Sequence, residues 1–306
     1  MERGRTGLSG LMDVLRDFAA REGCIIGVCD GEPLPHIPNP DTPFVSKDTA
    51  KRTDPAANMP GVKSIIAVGV GNILESFSPM PEDAGILSVL GVTEDYHVVV
   101  KKVLRKLAAE LEQHTQFKYK IFVDSPNLDE RTIAVKAGLG YIGRHGLVIS
   151  QEFGSWFNIG LMLTDIAITD VQRQVHNASS YSSFSCAPDC NHCIDACPTG
   201  ALSETNGFKV SRCISYLTQK DSLTSEEAVL IGRNLCGCDI CQDVCPKNPS
   251  QPVVWANPDD WLNMTDEEFK NMYGHTAMSW LGVARLRRNA QAVKTTLLNL
   301  QAPPQS

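Results

Sequence analysis

Apolar positions in the first half of the chain recur at two periods. Leu11, Leu15, Phe18 and Ala19 fall at i, i+4, i+7 and i+8, which predicts a helix over 8–22 with one buried face. The continuous apolar runs CIIGVC (24–29) and VKSIIAVGV (62–70) predict buried strands, and 95–114 reads as a long helix with an acidic start and a basic middle. A strand at 117–123, a helix at 129–137 and strands at 145–150 and 156–163 follow. This alternation implies an α/β or α+β domain over roughly the first 170 residues. Between the first two strands, Pro33, Pro35, Pro38, Pro40 and Pro43 predict an irregular loop that wraps a surface. The polar, Ser-rich stretch 170–185 reads as a linker, and 257–273 and 276–300 read as closing helices. The expected organisation is a domain at 1–175, a cysteine-rich module at 176–255 and a helical segment at 256–306.

Composition narrows the class. With 306 residues, 42% hydrophobic and 21% charged, the chain is globular, not disordered or fibrous, and its length suits one large domain plus a smaller one. A formal net charge of -7 gives no whole-chain reason to bind nucleic acid or an anionic membrane. No apolar run approaches the ~20 residues of a membrane span. A soluble, cytoplasmic, monomeric protein with no membrane partner is expected.

The cysteines carry the sharpest chemistry. Cys186-x3-Cys190-x2-Cys193-x3-Cys197-Pro198 is answered by Cys213 and by Cys238-x2-Cys241-x3-Cys245-Pro246. In two-cluster bacterial ferredoxins, cysteines two residues apart face one iron–sulfur cube and the cysteine before proline turns to the other. On that crossing rule one 4Fe-4S cluster takes Cys186, Cys190, Cys193 and Cys245, and the other takes Cys197, Cys213, Cys238 and Cys241. The x3 spacing makes Cys186 the least regular ligand, and the gap after Cys213 implies an inserted helix at 226–235. Two tetrathiolate zinc sites would satisfy the count alone, but zinc does not call for the Cys-Pro ending. Cys236 reads as a bystander, and Cys24 and Cys29 as core residues.

Beyond the cysteines, several segments resemble the epoxyqueuosine reductase family. They are TDPAANMPGVKSIIAV (53–68), VDSPNLDERTIAVKAGLGYIGRHGLVISQEFGSWFNIGLMLTD (123–165), RCISYLT (212–218), GCDICQDVCP (237–246) and WLGVARLRRNA (280–290). The resemblance implies an α+β, nitroreductase-like domain that binds base-off cobalamin, joined to a two-cluster ferredoxin-like module and fed by an external low-potential electron donor. It also implies removal of the epoxide oxygen of epoxyqueuosine in tRNA, and it matches the family's proton donor to Asp124. Asp-Ser-Pro is equally good turn chemistry, so a turn or capping role for Asp124 stands beside the catalytic one. Glu130 is expected to be a solvated carboxylate at a helix start, with an auxiliary acid as the alternative.

Expected cofactor contacts are Gly138, Gly140, Gly143, Arg144, His145, Ser155 and Trp156. The G-x-G-x-x-G at 138–143 follows a helix and precedes a strand, the reverse of the dinucleotide-binding context, so its glycines serve either a planar ligand or a tight turn. Phe153, Trp156 and Phe157 either floor the corrin or pack the core, and Asp95-Tyr-His97 lacks the glycine that would complete a cobalt-ligating histidine signature. Compared with the family, the chain reads as a short form without the helical-repeat extension, with Lys247 where a tryptophan is usual. Arg285, Arg287, Arg288 and Lys294 remain as an RNA-contacting cluster or a solvated helix face. Two functions follow: a cobalamin and iron–sulfur reductase acting on tRNA or another reducible substrate, or a ferredoxin-like electron carrier or corrinoid-reactivating partner.

Overall fold

The computed structural model of the chain describes residues 10–34, 43–168, 186–204 and 207–301. The expected linker at 170–185 and Pro35, Pro38 and Pro40 lie outside the described residues. Two compact units emerge, one formed by 1–71 and 97–190, the other by 72–96 and 191–306.

Unit one is built on a four-stranded sheet of β1 (Cys24–Asp30), β2 (Ser64–Gly71), β3 (Tyr119–Phe122) and β4 (Phe157–Thr164), in the order β1-β2-β4-β3. Every pairing is antiparallel, which settles the class as α+β rather than α/β. Ser64 to Val68 are all buried, explaining why β2 reads as a continuous apolar run and not as an alternation.

Three helices accompany the sheet: α1 (Leu11–Glu22), α2 (Tyr96–Leu111) and α3 (Glu130–Lys136). A Cβ on Gly160 of β4 would sit 2.4 Å from the Val100 side chain of α2. On Gly27 of β1 it would meet the Ala137 carbonyl, just past α3, at 2.0 Å. In register, Gly160 faces Val68 and Gly27 faces Ala67, so α2 and α3 cover opposite faces of the sheet.

Unit two holds the cysteine-rich segment and a second sheet, in which Gly85–Leu87 is flanked by Asn234–Cys236 in parallel and Val254–Ala256 antiparallel. None of these three short strands shows a readable period. The helix expected over 226–235 ends at Leu230 (Ser225–Leu230, opened by a Thr224–Glu227 capping box) and gives way to the strand Asn234–Cys236. The C-terminal helices do not form a separate segment. Gly282–Gln301 packs on Pro258–Asn263, on Ser225–Leu230 and on the strand Asn234–Cys236. The expected single helix over 257–273 is two, Pro258–Asn263 and Asp266–Tyr273, the second opened by its own capping box at Thr265.

Candidate active site and metal centre

Asp124 stands two residues beyond β3 and is the one non-glycine residue with positive φ (50°) among the described residues. Aspartate tolerates this left-handed region better than most side chains, yet it remains a conformation the surroundings must impose. The imposing group is Glu130, the first residue of α3. Its carboxylate accepts the main-chain N–H of Asp124 (3.1 Å) and of Ser125 (2.8 Å). Burial pushes the Glu130 carboxyl up to about 7 against the pull of those two hydrogen bonds. The expectation of a solvated helix-start carboxylate is therefore wrong, and the helix cap is Asp129, whose side chain accepts from Thr132 N–H.

The loop is also pinned at its flanks. Ser46 N–H donates to the Pro126 carbonyl (2.9 Å) and Asn58 Nδ2 to the Asn127 carbonyl (3.2 Å), so the described part of the proline-rich loop does wrap this surface. Asp124 itself is exposed, and its Oδ2 lies 3.6 Å from Nε2 of His97 in the first turn of α2. The sequence offered a signal for His97 only as a failed cobalt-ligand motif.

After α3 the chain makes the hairpin Tyr141–Ile142 and Val148–Ile149. Gly138, at φ 88°, closes the helix. A Cβ on Gly140 would lie 2.0 Å from the Ile149 carbonyl oxygen, and one on Gly143 would lie 2.6 Å from Ile149 Cδ1 and 3.3 Å from His145 Nε2. The close approaches at Gly140 and Gly143 are ones the hairpin itself makes. Ser155 and Trp156 are buried, and Phe153 and Phe157 pack on each other with ring centroids 6.4 Å apart, so this aromatic group belongs to the core.

His145 is different. It is buried, its Nδ1 accepts Leu147 N–H at 3.2 Å, and its Nε2 has no hydrogen-bond partner. Burial and the nearby Arg131 push the imidazole down to about 4, so it is neutral at pH 7 with its proton on Nε2. Arg144 is exposed and donates to the Pro188 carbonyl at 2.6 Å.

In unit two, Cys213 feels the charge of Cys197, Cys238 that of Cys213 and Cys197, and Cys241 that of Cys238, Cys213 and also Cys193. Burial pushes Cys213 up, pushes Cys238 up to about 12, and drives Cys241 up as well, with repulsion from the neighbouring sulfurs adding to each. Cys197 goes the other way. Burial alone would raise it, but N–H groups of Leu202, Thr199 and Ala201 and the Thr199 hydroxyl outweigh that and hold it below its ordinary value. These four thiols are half-buried, and thiolates that interact in this way, with amides aimed at one of them, are suitable donors for an iron–sulfur cluster. Among the described residues no three His, Cys, Asp or Glu side chains converge on a single-ion site.

Cys193 and Cys245 also lie in unit two, whereas Cys186 and Cys190 end unit one. Cys236 is fully buried in its strand, pushed up to about 12 by burial and therefore inert. Cys24 and Cys29 are core residues of β1.

The cluster pocket is braced by a residue without a chemical signal in the sequence. Asn289, fully buried in the terminal helix, donates through Nδ2 to the carbonyls of Thr218 and Leu235, both at 2.9 Å. Thr218 Oγ1 in turn accepts Gly237 N–H at 3.0 Å, beside Cys238. The neighbouring basic residues are spent on structure as well. Arg288 donates to the carbonyls of Thr218 and Lys220, Arg287 to that of Met264, Arg285 pairs with Asp221 beside the Trp280 ring, and Lys294 pairs with Asp259. Arg287 is exposed, and Arg285, Arg288 and Lys294 are half-buried.

Comparison with known proteins identifies the lineage. A family model described as epoxyqueuosine reductase QueG, DUF1730, matches residues 52–125, and one described as a 4Fe-4S double cluster binding domain matches 186–248. The epoxyqueuosine reductase of Staphylococcus aureus is 36% identical over 264 residues, covering 81% of this chain and 67% of its own. The chain belongs to the epoxyqueuosine reductase family. That makes it an oxidoreductase of a cobalamin-dependent family with two 4Fe-4S clusters.

Two solved family members share the fold. An epoxyqueuosine reductase in complex with an epoxyqueuosine-modified tRNA-Tyr stem loop superimposes with TM-score 0.81 at 26% identity, covering 95% of this chain and 82% of the other. A Bacillus subtilis enzyme, described with its catalytic aspartate loop swung out of the active site, gives TM-score 0.77 at 25% identity, covering 95% and 82%. For cobalamin, the fit to the residues present rests on the unpartnered, buried Nε2–H of His145, a donor that a polar group of a bound corrin would satisfy. Among the described residues, no helix is long and apolar enough to cross a membrane.

Proposed function

We propose that this chain reduces epoxyqueuosine to queuosine in the anticodon loop of tRNA, with Asp124 as proton donor. Deoxygenating an epoxide breaks both carbon–oxygen bonds, forms a carbon–carbon double bond and releases the oxygen as water. The balance is two electrons and two protons. Asp124 supplies one proton to the leaving oxygen and solvent the other. The observation that carries this reading is the Asp124 carboxyl, exposed on a loop of enforced geometry, 3.6 Å from His97 Nε2. An acid so held pays little reorganisation on reaching the transition state.

Unit one is the nitroreductase-like cobalamin domain, a reading supported by its antiparallel sheet with helices on both faces. His145 and Arg144 would hold the corrin, with Gly138, Gly140 and Gly143 shaping the hairpin that carries them and Ser155 and Trp156 bracing it from the core. When bound, cobalamin supplies a low-valent cobalt centre able to reduce the epoxide. Cys197, Cys213, Cys238 and Cys241 bind one cluster, supported by their mutual charge coupling, and Cys186, Cys190, Cys193 and Cys245 bind the other, supported by their spacing. An external low-potential donor feeds the clusters of a monomeric, cytoplasmic enzyme.

The test is anaerobic reconstitution with iron, sulfide and cobalamin, followed by mass analysis of nucleosides from an epoxyqueuosine-modified stem loop. Conversion to queuosine is expected. Redox-active clusters and bound corrin without turnover would leave the electron-carrier reading in its place.

A further inference from the structure

We infer that Glu130 is a positioning residue for the reductase reaction: its carboxylate holds the backbone of the 124–126 loop in the conformation that presents the Asp124 carboxyl. This inference deepens the proposed role of Asp124 and rests on it.

The argument starts from the backbone. A residue at φ 50° followed by an ordinary residue turns two successive N–H groups toward the same point, a nest that favours an anion. Both N–H groups, of Asp124 and Ser125, find the two oxygens of one carboxylate, Oε2 at 3.1 Å and Oε1 at 2.8 Å. Without that anion the nest loses its reason to exist, and Asp124 relaxes toward the right-handed or extended regions that an L-residue favours. Such a rotation at Cα redirects the side chain.

Glu130 can exert this control because it is itself immobile. It is the first residue of α3, whose start is fixed by the Asp129 cap and by Asp129 N–H donating to the Arg52 carbonyl at 3.2 Å. The next turn of α3 is anchored by the fully buried Ile133 and Ala134. Glu130 is half-buried, and its bond to Ser125 N–H lies in that part-buried region. Ser125 Oγ takes Asn127 N–H at 3.2 Å, a further tie within the same turn.

The test uses the reconstituted holoenzyme with an epoxyqueuosine-modified stem loop and three readouts. In Glu130→Gln the amide nitrogen can face one N–H but cannot accept from it. We expect kcat to fall roughly tenfold to a hundredfold, with KM within about twofold, because a misplaced acid costs transition-state and not ground-state binding. Cluster and corrin spectra should match those of the wild type. Amide exchange at Asp124 and Ser125 should accelerate at least about tenfold, the loss of roughly one hydrogen bond's protection.

Adding Glu130→Gln to Asp124→Asn should reduce kcat no further, since both act through one group. Unchanged kcat and unchanged exchange in Glu130→Gln overturn the inference. So does a double variant whose losses multiply, which would make Glu130 an acid in its own right. If the variant fails to fold, wild-type exchange still decides, because amides of Asp124 and Ser125 exchanging at unprotected rates would mean no latch. Full activity in Asp124→Asn alone would remove the proton donor while leaving the exchange result standing, so the two failures are distinguishable.

Discussion

The aspartate loop of unit one and the thiol pocket of unit two solve the same problem, holding charge where the chain must use it, by opposite means. In the thiol pocket the side chains are the reagents, and their spacing along the chain already encodes the arrangement. Cys238 and Cys241 lie three residues apart across the start of the short helix Ile240–Asp243, and the Asn289 side chain holds the Thr218 and Leu235 carbonyls of the same unit. In the aspartate loop the backbone is the instrument. Asp124 gains its orientation from a left-handed φ and from a carboxylate six residues away whose identity as a latch no motif announces. Spacing can be read from a sequence, whereas a nest needs the fold around it.

The bluntest way to break the comparison is to remove a thiol. Cys241→Ser should halve the bound iron and abolish turnover, whereas Cys236→Ala, altering a buried sulfur outside both proposed sets, should leave iron content unchanged by metal analysis. Equal iron loss in both variants would dissolve the assignment of the second cluster.

Asp124→Asn should lower kcat by about 10²–10⁴-fold, the span of a lost general acid, with stem-loop affinity unchanged in a direct binding measurement. Asn289→Ala removes the side-chain donor to the Leu235 carbonyl and one of the two donors to the Thr218 carbonyl, which keeps Arg288, and should lower unfolding stability by roughly 1–3 kcal/mol in anaerobic denaturant titration. Stability equal to the wild type would show that the terminal helix does not brace the cluster pocket.

The smallest effect sharpens the contrast within unit one. Glu130 binds a proton more tightly folded (about 7) than in an unfolded chain (4.5), so its variant Glu130→Gln should gain stability relative to the wild type as pH rises from about 4.5 to 7. His145 has the opposite sign. Its folded value of about 4 lies below 6.5, so the wild type should lose stability relative to His145→Asn as pH falls from 6.5 toward 4. Thermal unfolding of both variants across pH 4–8 reads the two slopes.

What the sequence determined by itself was whatever depends on period and spacing. Helices α1 and α2 and strands β1, β2 and β4 are local patterns, visible because burial imposes periods of 3.6 or none, and the cysteine intervals are likewise written in the sequence. Short elements escaped. The strand Asn234–Cys236 was mistaken for the end of a helix because its three residues have no period, and Gly85–Leu87 forms only because two remote segments flank it. Tertiary structure alone decided that a half-buried Glu130 takes two main-chain N–H groups, that Arg285, Arg287 and Arg288 are tied to carbonyls and carboxylates, and that His145 keeps a buried, unpartnered proton. Each of these depends on which groups from distant parts of the chain arrive around a charge or a donor. That is a property of packing and desolvation, which only the folded chain possesses.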